Sequence, residues 1–160
     1  MEYIPNGELY ELQRRLKRFS LKESAFIISE VILAVEFLHS ELSVLYRDLK
    51  PENILLTDKG HIKLSDFGLS KRLNSDDELT YTYAGTVEYL APEVVTGKGH
   101  NRLADFWSIG VLLYELIAGK PPFHDENRNP ERIESLIMLN QPIFYNEMGD
   151  DAIHLIKSLL

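Results

Sequence analysis

Apolar and polar positions alternate along this chain with two periods, and the period changes mark where one element gives way to the next. Ser20-Leu21-Lys22-Glu23 has the S-x-x-E form that closes a helix N-terminus, and Ile27, Val31, Ala34, Val35 and Leu38 then recur three and four residues apart. That pattern predicts an amphipathic helix ending near His39. From Leu103 to Ala118 the residues are apolar on almost every helical face, so this helix should be buried all round, with Gly119 and Pro121-Pro122 to stop it. Ile54-Leu55-Leu56 and His61-Ile62-Lys63-Leu64 flank Asp58-Lys59-Gly60, which reads as a β-hairpin. Further helices are expected from near Glu8, from the cap Asn129-Pro130-Glu131 with Ile133, Leu136, Ile137 and Leu139 on its apolar face, and from Asp150-Asp151 onward to Leu160. Between Lys71 and Ala84, Ser75, Thr80, Tyr81 and Thr82 lie among Asp76, Asp77 and Glu78 without periodicity, which predicts a mobile loop. The fold class expected is mainly α, of the α+β kind, with helices around one buried central helix and small hairpins beside it.

Composition narrows the function classes. At 160 residues, 44% hydrophobic and 26% charged, the chain suits one domain with its own core. No apolar run approaches a membrane span, and Glu2 interrupts any signal-peptide start, so an intracellular protein without membrane insertion is expected, cytoplasmic or nuclear. With no Cys there is neither a disulfide nor a thiol nucleophile. A formal net charge of −8 argues against nucleic-acid binding and suits basic peptide partners. The basic cluster Arg14-Arg15, Lys17-Arg18 reads as a solvated helix end, and the five histidines, in separate elements, show no metal-ligand spacing.

The chemistry is concentrated in Tyr46-Arg47-Asp48-Leu49-Lys50-Pro51-Glu52-Asn53 and Asp66-Phe67-Gly68. A loose phosphoryl-transfer transition state needs positioning and charge neutralisation more than covalent chemistry. Asp48 suits the proton acceptor for an attacking hydroxyl, and Lys50, two residues on, suits a γ-phosphate contact. Asn53 and Asp66 bring the oxygen donors that Mg²⁺ prefers, and the intervening hairpin would return them to one place.

These motifs resemble the catalytic loop H-R-D-L-x-x-x-N and metal loop D-F-G of eukaryotic protein kinases. Gly85-Thr86-Val87-Glu88-Tyr89-Leu90-Ala91-Pro92-Glu93 and Asp105-Phe106-Trp107-Ser108-Ile109-Gly110-Val111 resemble two later landmarks in the family's order. The resemblance implies a kinase-like C-terminal lobe over residues 1–160, ATP and Mg²⁺ as cofactors, and serine/threonine specificity from Lys50 and Thr86. Tyr46, the Met1-Glu2-Tyr3 opening with Gly7-Glu8-Leu9, and Thr82 to Thr86 resemble the AGC group, the ribosomal-protein and mitogen- and stress-activated kinases in particular.

Carried over position by position, the resemblance implies Asp48 as base, Lys50 on phosphate, and Asn53 and Asp66 on metal. It places Glu2, Ile4, Glu8 and Leu55 around the nucleotide, Leu55 beneath the adenine. Thr82 becomes an activating phosphosite for an upstream kinase, with Arg47 as phosphate partner. Glu8, Glu52 and Glu115, with Thr86, become contacts for substrates carrying basic residues, and Asp105 holds the catalytic-loop backbone around Arg47. Neither a G-x-G-x-x-G loop nor a V-A-I-K lysine is in the sequence, and the family's later arginine for Glu93 is not reached. The expectation is therefore a hinge and large lobe without the small lobe or the domain's C-terminal end, inactive by itself. The alternative is a non-catalytic regulatory or decoy lobe that binds basic peptides or kinase partners.

Overall fold

Local sequence signals account for several helix ends in the computed structural model, which describes residues 4–75 and 78–160. Helix α1 covers Leu9–Leu16 and α2 covers Leu21–Ser40. Ser20 caps α2 reciprocally: its Oγ accepts from the Glu23 amide at 3.3 Å, while the Glu23 carboxylate accepts from the Ser20 amide at 2.8 Å. Val31 and Val35 of α2 are fully buried, and α2 packs along α4, Leu103–Ala118.

Helix α4 is the axis of the lobe. Ile109, Val111, Leu112 and Leu116 on successive faces are all inaccessible to solvent, as an all-round apolar helix requires. Gly119, left-handed at φ 86°, ends it. Helix α6, Asp150–Leu159, crosses α4 so closely that a Cβ at Gly110 would lie 2.9 Å from Leu159 Cβ. Helix α5, Pro130–Leu139, is capped by Asn129, whose side chain accepts from the Arg132 amide. Ile133 and Ile137 of α5 enter the core, but Leu139, expected on the same face, is 64% exposed because it lies two residues, about 200° round the helix, from Ile137. The short α3, Pro92–Val95, packs against α5.

Two small antiparallel ladders sit at one end of the helices. Strand β2, Ile54–Leu56, pairs with β3, Ile62–Leu64, as the hairpin signal predicts. Strand β1, Val44–Leu45, pairs with β4, Lys71–Arg72, so the segment expected as a loop from Lys71 begins with a strand. The polar segment is also better anchored than its lack of periodicity suggests. Thr80 is buried, and its backbone exchanges two 2.9 Å hydrogen bonds with His100. Tyr83 donates to Glu134 on α5. Ser75 and Glu78 of this segment are described; Asp76 and Asp77, like Glu2 of the expected nucleotide site, lie outside the described residues.

Candidate active site

The catalytic motif hangs from the buried helix through one carboxylate. Asp105, 1% exposed near the start of α4, accepts from the Tyr46 amide at 2.9 Å and the Arg47 amide at 2.8 Å, and its Oδ2 lies 2.7 Å from His39 Nε2 at the end of α2. Three partners satisfy the charge that burial would otherwise penalise. Arg47 takes a left-handed φ of 68° here, an uncommon value for a side-chain-bearing residue, and these bonds hold it there. Gly85 approaches from the other side at φ 118°, where a Cβ would sit 2.6 Å from the Arg47 carbonyl oxygen.

Asp48 lies in this loop, 6% exposed, within a closed ring of polar contacts. Lys50 Nζ is 2.9 Å from Asp48 Oδ2 and donates to Thr86 Oγ1 at 2.9 Å; Thr86 Oγ1 in turn donates to Asp48 Oδ1 at 3.0 Å. Asn53 Nδ2 donates to the Asp48 carbonyl at 2.8 Å and to Oδ2 at 2.9 Å. Lys50, Thr86 and Asn53 each direct one hydrogen toward the carboxylate, an arrangement matched to an acceptor-only base. Thr86, expected as a substrate contact, is thus also a direct partner of Asp48 and Lys50.

The two residues expected to bind metal, Asn53 and Asp66, are joined through the hairpin. The Asn53 carbonyl accepts from Ser65 N at 2.9 Å and from Ser65 Oγ at 3.1 Å, which fixes the residue before Asp66 against the catalytic loop. Tyr46, inaccessible to solvent, donates its phenol to the Ser65 carbonyl and meets the Phe67 ring edge-on at 5.4 Å. Burial is the main cause that raises the Tyr46 phenol above its usual range, with the Asp48, Asp66 and Asp105 charges adding to it. Asp66 is exposed at φ 51°, and among the described residues only its Oδ1 is engaged, by the Gly68 amide at 3.1 Å. Because Asn53 spends its Nδ2 on Asp48, its Oδ1 remains as a free oxygen donor. One amide oxygen and one carboxylate fit the hard-oxygen preference of Mg²⁺. Among the described residues no cluster of three or more His, Cys, Asp or Glu could hold a metal by itself.

The segment before α1 is pinned to β2. Glu8 and Leu55 form an antiparallel bridge, the Leu56 amide donates to the Gly7 carbonyl at 2.9 Å, and Asn6 Nδ2 donates to the Thr57 carbonyl at 2.7 Å. This brings Glu8 beside half-buried Leu55, with half-buried Ile4 at the turn that precedes them.

Glu115, on the last turns of α4, is half-buried. Tyr89 donates its hydroxyl to the carboxylate, and Gln13 Nε2 of α1 lies 3.3 Å from Oε1. Desolvation, opposed in part by the Tyr89 bond and reinforced by the charges of Glu52 and Glu88, raises this carboxyl to about 7. Glu52 and Glu115 therefore feel each other directly, while Glu8 occupies the Leu55 bridge. Gln13, Tyr89 and Glu88 were not singled out by sequence reasoning. Tyr89 and Glu88 stand within the Gly85 to Glu93 landmark, but nothing local marks a glutamine whose partner is 102 residues away.

Arg47 Nε donates to the Leu69 carbonyl at 2.6 Å, while its Nη1 is buried without a partner among the described residues. Thr82 is exposed two residues beyond the Thr80 to His100 bridge. The cation expected to meet a phosphate is thus held in place with donor capacity unused.

No helix among the described residues is long and apolar enough to cross a membrane. Comparison with known proteins agrees with the geometry. The family profile described as "Protein kinase domain" matches residues 1–160. The chain is 46% identical over 160 residues to the mouse "cAMP-dependent protein kinase catalytic subunit PRKX", covering all of this chain and 43% of that protein. The human protein of the same name is 47% identical with the same coverage. The Dictyostelium discoideum "cAMP-dependent protein kinase catalytic subunit" is 42% identical over 159 residues, 99% of this chain and 24% of that relative. The chain thus spans less than half the length of these relatives, which are consistent with the AGC group. It belongs to the protein kinase domain family.

Proposed function

We propose that residues 1–160 form the hinge and large lobe of a serine/threonine protein kinase that transfers the γ-phosphoryl group of ATP to hydroxyls in peptides bearing arginine. The ring of Asp48, Lys50, Thr86 and Asn53 is the observation that carries this reading. A substrate hydroxyl placed against Asp48 gives up its proton to a carboxylate already aligned by three donors, and Lys50 neutralises negative charge beside it. Mg²⁺ held by Asn53 and Asp66 would neutralise charge on the phosphate oxygens. Leu55 and Ile4 supply apolar surface for the adenine, with Glu8 at the edge; Glu2 belongs to the same proposed site.

Glu115 and Glu52 supply the negative surface for a substrate guanidinium, and Tyr89 orients the Glu115 carboxylate toward it. Thr82, phosphorylated by an upstream kinase, would place its phosphate on the unused donors of Arg47 and order the segment that carries Thr86. A cytoplasmic or nuclear location follows from this role. Phosphate incorporation into a serine peptide with and without arginine, measured with the protein as expressed in its source cell, tests the proposal. Asp48→Asn should remove transfer by at least about a thousandfold while leaving the protein folded, as its circular dichroism spectrum would show. Transfer that survives Asp48→Asn, or that ignores the peptide's arginines, would overturn the catalytic and the substrate assignments respectively.

A further inference from the structure

Helix α1 departs from its own apolar pattern at a buried position. Leu9, Leu12 and Leu16 recur three and four residues apart, and Gln13, four residues after Leu9, falls on the same face. Leu9 and Gln13 are the two buried residues of this helix, Gln13 at 5% exposure. An apolar side chain there would leave no hydrogen-bonding group unmet, whereas the glutamine keeps its Oε1 buried without a partner among the described residues. Its amide nitrogen accounts for the exception. Nε2 lies 3.3 Å from Glu115 Oε1 and 3.4 Å from the Glu115 carbonyl oxygen, a donor brought to the last turns of α4 by a different helix.

Glu115 depends on such a donor. Desolvation raises its carboxyl, and the charges of Glu52 and Glu88 raise it further; among the described groups that act on it, the Tyr89 hydroxyl and the Gln13 amide favour the ionised form. The balance stands at about 7, so near neutral pH about half of the molecules carry Glu115 as an uncharged acid that attracts a cation poorly. The two donors are not equivalent. A phenol hydroxyl can donate to a carboxylate or accept from a carboxylic acid, but Nε2 of Gln13 only donates and so discriminates between the two forms. Helix α1 also packs against the turn Pro51–Asn53, which carries Glu52, so the helix that supplies Gln13 lies against the element bearing the second acid.

Resting on the reading of Glu52 and Glu115 as the site for a substrate guanidinium, we propose that Gln13 is a positioning residue that holds Glu115 ionised for that guanidinium and so sets the pH range over which arginine is selected. The incoming guanidinium takes the place of a proton, which leaves to water, so affinity for arginine rises with pH as Glu115 ionises. Removing the Gln13 donor leaves burial and the neighbouring acids less opposed and moves that rise to higher pH. The effect of Gln13 is therefore large near neutrality and disappears in alkali, where Glu115 is ionised without help. A glutamine that only filled space would change affinity by the same factor at every pH.

Fluorescence anisotropy of two rhodamine-labelled, amidated peptides tests this. One has two arginines ahead of an alanine that replaces the acceptor serine, the other has citrulline in place of both arginines, and neither contains a side chain that titrates near neutral pH. Each is bound to the protein as expressed in its source cell, wild type and Gln13→Met, a substitution that keeps an unbranched side chain of similar length and removes the orphaned oxygen, so the variant should fold. The wild type should prefer arginine to citrulline by a ratio that grows as pH rises through about 7. In Gln13→Met that curve should move up by about one pH unit, the order of one hydrogen bond to a charged group, so that the ratio falls about fivefold near pH 7 and less than about twofold near pH 9. Urea unfolding gives a second reading that needs no peptide: the loss of stability with rising pH should continue about one pH unit further in the variant. A curve that stays in place, or a loss of equal size at every pH, would overturn the assignment of Gln13 alone. A wild type that binds both peptides alike would overturn the guanidinium site, and the role of Gln13 with it.

Discussion

Replacing Glu115 with glutamine should make the protein more stable at alkaline pH and leave it almost unchanged in acid. The wild-type carboxyl is lifted from an ordinary 4.5 to about 7, first by desolvation. Between those two values the folded state keeps a proton that the unfolded chain has already lost. Stability from this site is therefore full below about pH 4.5 and falls as pH rises toward and through 7, a total of about 3 kcal/mol once both states are ionised. A glutamine has no proton to lose. Its carbonyl can still accept from Tyr89, and once the Gln13 amide turns over, its NH₂ can donate to Gln13 Oε1, which is buried without a partner among the described residues of the wild type. The assay is urea unfolding followed through Trp107, the chain's single tryptophan, buried and stacked 5.7 Å from Phe123. Near pH 5 the two proteins should differ by less than about 1 kcal/mol, and near pH 8 the variant should lead by about 3 kcal/mol. A difference that does not change with pH, or a variant that is weaker at the alkaline end, would refute the account of Glu115.

Three other perturbations test the frame around the site. Asp105→Asn places an NH₂ group against the backbone amide of either Tyr46 or Arg47, which bond to different carboxylate oxygens, and should cost about 3 kcal/mol in denaturant unfolding, since one carboxylate serves Tyr46, Arg47 and His39. Gly85→Ala combines a φ of 118° with a 2.6 Å approach to the Arg47 carbonyl and should lower the thermal midpoint by an amount equivalent to about 2 kcal/mol. Ser20→Ala removes one half of the α2 capping box and should cost about 1 kcal/mol by the same unfolding assay, with no effect on nucleotide binding.

The parts legible in the sequence are those encoded over a few residues. The α2 capping box, the β2–β3 hairpin and the all-round apolar α4 each carry a local signature, and the structure contains each of them. Asp48, Lys50, Asn53 and Asp66 could be singled out for the same reason, because they stand in two short motifs, and the structure brings Asp48, Lys50 and Asn53 into direct contact. What stayed hidden depends on pairings across long stretches of chain. Strands β1 and β4 are two residues each, too short for any alternation to register, and each exists only because the other is there. Thr80 looks like one more polar residue in a loop until His100 closes on it. Gln13 touches Glu115 because α1 is folded against the end of α4, a contact that no window of sequence contains.

The attachment of the catalytic loop to Asp105 also fixes how the protein should lose its geometry under stress. The amides of Tyr46 and Arg47 are bonded to a residue in the most protected helix of the lobe, so their hydrogens should exchange with solvent only when α4 itself opens. Heat would then give no intermediate regime in which the lobe is folded but the loop has come loose. Residues 46 and 47 and the interior of α4 would share one exchange rate, and the durability of the loop would be that of the whole lobe.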